Sequence, residues 1–188
     1  VAEGDEEDIL SIQRVLSGDS AAFAVLVRKY ERRLRSFCRS RLPEAEVDDA
    51  AQEVFVKAFK SLGGFRLGAS FCPWLFSIAM STIARKKHRY RNEVDKTRRL
   101  MAEADGHTGQ NEGLANLEGE FLRKAVRELP PAYRDVVELY YFAELSTEES
   151  AKALGLGVEA VKSRLFRARK LLQEMMEGRN RSGPQGVY

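Results

Sequence analysis

Between Leu145 and Lys170 the chain reads as two helices joined by a tight turn, and this stretch limits what the rest can build. Ser146 followed three residues later by Glu149 is a capping box, in which each side chain satisfies an orphan backbone N–H at the helix start. Gly155 and Gly157 bracket the turn, where a residue without Cβ takes positive φ at no steric cost. Ala151 leaves room for the second helix to cross, and Val161 closes the small core between the two. This is helix-turn-helix spacing, in which the second helix lies in a DNA major groove.

At about 100° per residue, Val158, Val161, Leu165, Ala168, Leu172 and Met175 fall on one face of the second helix. Ser163, Phe166 and Lys170 lie opposite, with Lys162 and Arg167 on the shoulders. Lys and Arg neutralise phosphates or reach guanine edges, and a ring packs on a thymine methyl. A merely solvated basic face would have no use for an outward Phe166.

The chain has 188 residues and a formal net charge of +3, enough for one ordinary domain or two small ones. The balance matters less than the segregation. Glu44, Glu46, Asp48, Asp49 and Glu53 form an acidic block, whereas Arg85, Lys86, Lys87, Arg89 and Arg91 form a basic one. Such separation suggests two different partners, against the alternative of two solvated helix faces. Cys38 and Cys72 are too few for a disulfide framework and fit no metal spacing, so reduced thiols in a cytoplasmic protein are expected. The acidic N-terminus is unlike a signal peptide, and no apolar run approaches the roughly 18 residues of a membrane span, so no membrane insertion is expected. His88 and His107 are the only histidines, and no carboxylate pair or nucleophile–base set stands out. No catalytic residue, metal ligand or cofactor is predicted.

Helical spacing predicts an all-α fold. A first helix spans 8–17, and a second is capped by Asp19 or Ser20, carries Phe23, Leu26, Tyr30, Leu34 and Phe37, and is ended by Pro43. A third runs from Glu44 to Leu62 with Val54, Phe55, Ala58 and Phe59 inward, stopped by Gly63-Gly64. After a loop from Phe65 to Cys72, Pro73 opens a fourth through Trp74, Leu75, Ile78 and Ile83. Its aromatic loop beside a basic helix suits stacking next to a phosphate track. The pattern dissolves from Asn92 to Ala115, with a short helical turn possible around Arg98–Ala104. New helices run from Leu117 to Glu128 and from Pro130 or Pro131 through Val136, Leu139 and Phe142. Each half is small enough for its core to be marginal, so mutual docking or a partner surface is expected.

Asp48-Asp49-Ala50-Ala51-Gln52-Glu53-Val54-Phe55, Gly64-Phe65-Arg66, Ala69-Ser70-Phe71 and Trp74 to Ala79 together resemble region 2 of bacterial sigma factors. Leu129-Pro130 through Phe142, Leu145 to Glu149 and Val161 to Arg169 resemble region 4. The order, and a linker with no intervening domain, match the extracytoplasmic-function (group IV) subfamily of the sigma-70 superfamily. The resemblance implies two small helical domains joined by a flexible linker: 1–91 as region 2, 92–116 as linker, 117–177 as region 4 with the helix-turn-helix, and 178–188 as a flexible tail. It implies an alternative sigma factor that binds core RNA polymerase, recognises −10 and −35 elements and promotes promoter melting. Asp49, Gln52, Glu53 and Phe55 would dock on the β′ clamp coiled coil, and region 4 would meet the β flap. Phe65, Arg66, Ser70, Phe71, Trp74, Ser81, Arg85, Lys86, Lys87 and Arg89 would hold the −10 strand, with an unstacked base trapped in a pocket. Lys162, Ser163, Arg164, Phe166, Arg167 and Lys170 would read the −35 duplex. An anti-sigma factor, and a role in stress response, are implied by the family only.

Three residues depart from the family pattern. Ser81 replaces the Asn that often lines the base pocket, and Cys72-Pro73 replaces a polar pair before the Trp. Ser150 stands where an Ile usually fills the core, and its hydroxyl needs a backbone carbonyl partner or costs about 1–3 kcal/mol. The alternative reading is a stand-alone helix-turn-helix regulator of duplex DNA, which leaves the first half without an advertised role.

Overall fold

The structure, a computed structural model, describes residues 3–101 and 117–181, with side chains described for 5–89 and 122–177. It is all-α, with no strand among the described residues. In chain order the helices are α1 (Glu3–Leu16), α2 (Phe23–Arg41), α3 (Glu44–Ser61), α4 (Phe71–Met101), α5 (Leu117–Glu128), α6 (Pro131–Val137), α7 (Thr147–Leu154) and α8 (Val158–Arg181).

The helix ends follow local chemistry, with corrections. Asp19 does not cap α2; its carboxylate accepts from Arg14 Nη2 at 2.7 Å, and a 3-10 turn, Ser20–Ala22, leads into the helix. Pro73 is the third residue of α4 rather than the first, still within the opening turn where backbone N–H groups have no intrahelical acceptor. The linker expected over 92–116 begins later, because α4 continues through Met101. Its basic run therefore sits inside a long helix and not in a C-terminal turn. Residues 102–116, with the rest of the Arg98–Ala104 turn, and the tail from 182 lie outside the described residues. After α6 the chain continues as a π turn, Glu138–Phe142, closed by the Ala143 amide donating to the Glu138 carbonyl at 3.0 Å.

One core lies between α2, α3 and α4. Leu26, Leu34 and Phe37 meet Val47, Ala50 and Val54, and Leu75, Phe76, Ala79 and Ile83 close it. The alanines bring helix axes close, and each fully buried Leu, Ile or Phe contributes about 1.5–3 kcal/mol. Phe37 and Phe76 meet edge to face at 5.5 Å. Phe59 departs from its expected inward position and is exposed at the rim. A second core joins Val126, Leu129, Val136 and Val137 to Ala151, Val161, Leu165 and Ala168. The cores are not separate bodies: Leu139, Ala143 and Leu145 belong to the first cluster, and α7 packs against α4. The docking that small halves require is made by the chain itself.

Candidate nucleic-acid interface

The helix-turn-helix is built from its caps inward. The Ser146 amide donates to Glu149 Oε2 at 2.8 Å, and the Glu149 amide donates to Ser146 Oγ at 3.0 Å. Gly155 ends α7 in the left-handed region at φ 64°, whereas Gly157 does not take the positive φ anticipated for it. Val161, Leu165 and Ala168 are buried, so α8 is anchored on the predicted face. Lys162, Ser163, Phe166, Arg167 and Lys170 are all exposed, and Arg164 is half-buried. Phe166 is 70% exposed, set among these cations. Lys162 is steered by an ion pair to Glu159 at 2.9 Å. Arg169 was missed by sequence reasoning. It lies at the edge of this face, where its Nε donates to the Tyr141 hydroxyl at 2.9 Å and its guanidinium packs on the rings of Tyr140 and Tyr141.

In the N-terminal unit the loop aromatics hold the loop from beneath. Phe65 is 7% and Phe71 1% exposed, so neither ring offers a free stacking face, and the reading of both as an open platform is corrected. Phe65 and Trp74 lie 5.1 Å apart, Phe71 and Trp74 5.6 Å, and Tyr30 supports Phe71 from α2 at 5.6 Å. Trp74 remains half-buried, and Arg66 and Leu67 point out. The Tyr30 hydroxyl donates to the buried Asp8 carboxylate, whose other oxygen takes Lys29 Nζ at 2.5 Å, fastening α1 to the same cluster. Burial pushes the Asp8 carboxyl up against the opposing effect of these bonds. Ser70 donates to Asp5 at 3.4 Å. Ser81 is exposed and caps back onto the Ile78 carbonyl at 2.9 Å. Arg85 and Arg89 are exposed, whereas Lys86 and Lys87 are half-buried.

The acidic and basic blocks, separate in sequence, touch in space. Glu53 takes Lys57 from its own helix and Lys86 from α4 at 3.5 Å. The Lys57 bond, seconded by Lys86, holds the Glu53 carboxyl below the usual carboxylate range. Asp49 and Gln52 stay exposed, while Phe55 is buried edge-on against Phe23 at 6.4 Å. Beside them α2 and α3 leave a groove of about 480 Å³ walled by Phe23, Val27, Phe55 and Phe59 and rimmed by Glu31 and Asp48. Among the described residues no three His, Cys, Asp or Glu side chains gather as a metal site, and no helix is long and apolar enough to cross a membrane.

Two docked helical units, one ending in an exposed basic recognition helix and the other bearing a basic helix beside an acidic face, define a DNA-binding protein of bipartite design. Residues 26–93 match the family model for sigma-70 region 2, and residues 122–172 match that for sigma-70 region 4. The ECF RNA polymerase sigma-E factor of Escherichia coli (strain K12) is 31% identical over 180 residues, covering 90% of this chain and 94% of that protein. The RNA polymerase sigma-H factor of Pseudomonas aeruginosa is 31% identical over 183 residues, covering 92% and 95%. The solved structure of CnrH in complex with the cytosolic domain of CnrY superposes with a TM-score of 0.73 at 28% identity, covering 92% of this chain and 98% of that one. The chain belongs to the extracytoplasmic-function sigma factors of the sigma-70 superfamily. It is an alternative sigma factor, and its family comprises transcription initiation factors rather than enzymes.

Proposed function

We propose a division of labour among the exposed surfaces. The face of α3 with Asp49 and Gln52, beside the apolar groove, docks on a basic coiled coil of core RNA polymerase, and region 4 also meets the β flap. Glu53 is engaged by Lys57 and Lys86, so it shapes this face more than it offers a free charge. The loop with Arg66 and Ser70, the rim of Trp74, Ser81 and the cations Arg85, Lys86, Lys87 and Arg89 take the unpaired −10 strand. Phe65 and Phe71 set that loop's shape from below. Lys162, Ser163, Arg164, Phe166, Arg167 and Lys170 read the −35 duplex. Domain limits of 1–101 and 117–177, with the segment 102–116 between, fit this assignment. CnrH is solved in complex with the cytosolic domain of CnrY, and for this chain a protein partner, an anti-sigma factor, is proposed in the cytoplasm.

The observation that carries the reading is Phe166, 70% exposed among Lys162, Ser163, Arg167 and Lys170 on a helix whose opposite face is locked in a core. Run-off transcription with core polymerase on a pool of genomic promoter fragments tests it. Defined transcripts should appear only when the protein is added. Arg167→Ala should weaken −35 binding, lowering the log–log salt slope by about one if it meets a phosphate or relaxing one base position if it meets an edge. Core association should be unchanged. Asp49→Ala should do the converse. Salt-sensitive duplex binding without transcripts would favour the stand-alone regulator.

A further inference from the structure

The deepest polar group on α1 is a charge. Asp8 is 1% exposed, and Ile12 is the one large apolar side chain that α1 buries fully among the described residues. The Tyr30 hydroxyl donates to one Asp8 oxygen, and Lys29 Nζ reaches the other at 2.5 Å. Taking a carboxylate out of water costs more than burying an apolar side chain of its size, and a buried ion pair adds little net stability. An apolar residue at position 8 would anchor α1 as firmly. What the carboxylate adds is direction: it accepts from one hydroxyl in one geometry and so fixes the Tyr30 ring.

That ring is the lowest course of the stack under the loop that leads into α4. Tyr30 meets Phe71 at 5.6 Å, Phe71 meets Phe65 at 6.0 Å, and both Phe71 and Phe65 meet Trp74, at 5.6 and 5.1 Å. Tyr30, Phe65 and Phe71 are buried. Rings packed at interior density pass a displacement on instead of absorbing it, so the Asp8 bond and the rim of Trp74 are mechanically joined. A second contact of α1 reaches the loop directly. Ser70, the residue before α4, donates to Asp5 at 3.4 Å, and Asp5 lies three residues before Asp8 on the same helix face. Two carboxylates of one helix therefore hold the loop, one through the rings beneath it and one at its last residue.

The helix lies before the segment 26–93 matched to sigma-70 region 2. We infer that α1 is a working part of the −10 reader, in which Asp8 and Tyr30 are positioning residues that set the loop 65–70 and the Trp74 rim for the unpaired strand; this rests on the −10 assignment of the loop made above.

Holoenzyme assembled from core polymerase and each variant tests this on two templates cut from a promoter that the wild type transcribes. One is a fork with the −10 segment unpaired; the other is a duplex that carries the −35 element alone. Tyr30→Phe keeps the ring and removes the hydroxyl. Asp8→Ala removes the acceptor, and Asp8→Asn keeps an acceptor oxygen in its place. Helical content by circular dichroism verifies that all three fold. Tyr30→Phe and Asp8→Ala should each weaken fork binding about fivefold, because apparent affinity scales with the fraction of molecules whose loop is set correctly. Combined, they should lose no more than either alone, since both break the same link. Asp8→Asn should recover most of the loss. Binding of the −35 duplex and association with core should stay within about twofold of wild type, because sites that share no partners act independently. A helix serving stability alone would lower all three affinities together, or none. Fork binding unchanged in Tyr30→Phe and Asp8→Ala, a loss shared equally by −35 duplex and core, or an Asp8→Asn no better than Asp8→Ala overturns the role of α1. Arg66→Ala, on the loop but outside this link, checks the assignment of the loop itself. If it too leaves fork binding untouched, the loop does not hold the −10 strand, and the role of α1 falls with it.

Discussion

Ser150 carries a hydroxyl sealed inside α7 with no hydrogen-bond partner, so of the two outcomes open to it, a carbonyl partner or an energetic cost, it meets the cost. A buried unsatisfied hydroxyl costs about 1–3 kcal/mol, and removing it leaves only a small void. Ser150→Ala should therefore stabilise the protein by about 1 kcal/mol, read as a higher urea midpoint with an unchanged slope. Cys38 and Cys72 show the same dominance of burial. Both thiols are pushed up to about 12 by desolvation, with Arg41 and Lys86 only partly offsetting it at Cys38. Thiols so held are weak nucleophiles, and both side chains belong to the N-terminal core.

Among the elements, α7 depends most on its ends. It has eight residues, too few to persist alone, so the capping box and Gly155 fix where it starts and stops. Ser146→Ala should cost about 1 kcal/mol in thermal or urea unfolding, while helical content elsewhere is retained. The loss should also appear as weaker −35 duplex binding, because a frayed α7 no longer sets the approach of α8. The caps of α7, the apolar face of α8 and the bounds of α5 were legible in the sequence, since each depends on residues within a few positions. The π turn after α6 was not. Within it Glu138 pairs with Arg41 of α2 and Leu139 joins the N-terminal core, long-range contacts that no local pattern announces.

For the whole molecule, Leu139, Ala143 and Leu145 make the C-terminal unit part of the N-terminal core. Leu139 is fully buried there, and Leu139→Ala should cost about 2–5 kcal/mol. More telling is cooperativity. Trp74, the sole tryptophan, reports on the N-terminal unit, whereas circular dichroism sums all helices. In wild type the two probes should trace one transition; in Leu139→Ala they should separate.

The sequence by itself determined the all-α class, the caps of α7, the helix-turn-helix and the outward chemistry of α8, because periodicity and capping act over one or two turns. It also placed every charged group, but not the charge's partner. Tertiary structure alone decided that Glu53 meets Lys86, that Phe65 and Phe71 turn under the loop instead of out of it, and that Arg41 closes on Asp135, 94 residues away. A charge or a ring on an amphipathic helix is satisfied equally well by water, by DNA or by another helix. Which of these wins is settled only when packing brings one of them within reach and excludes the others.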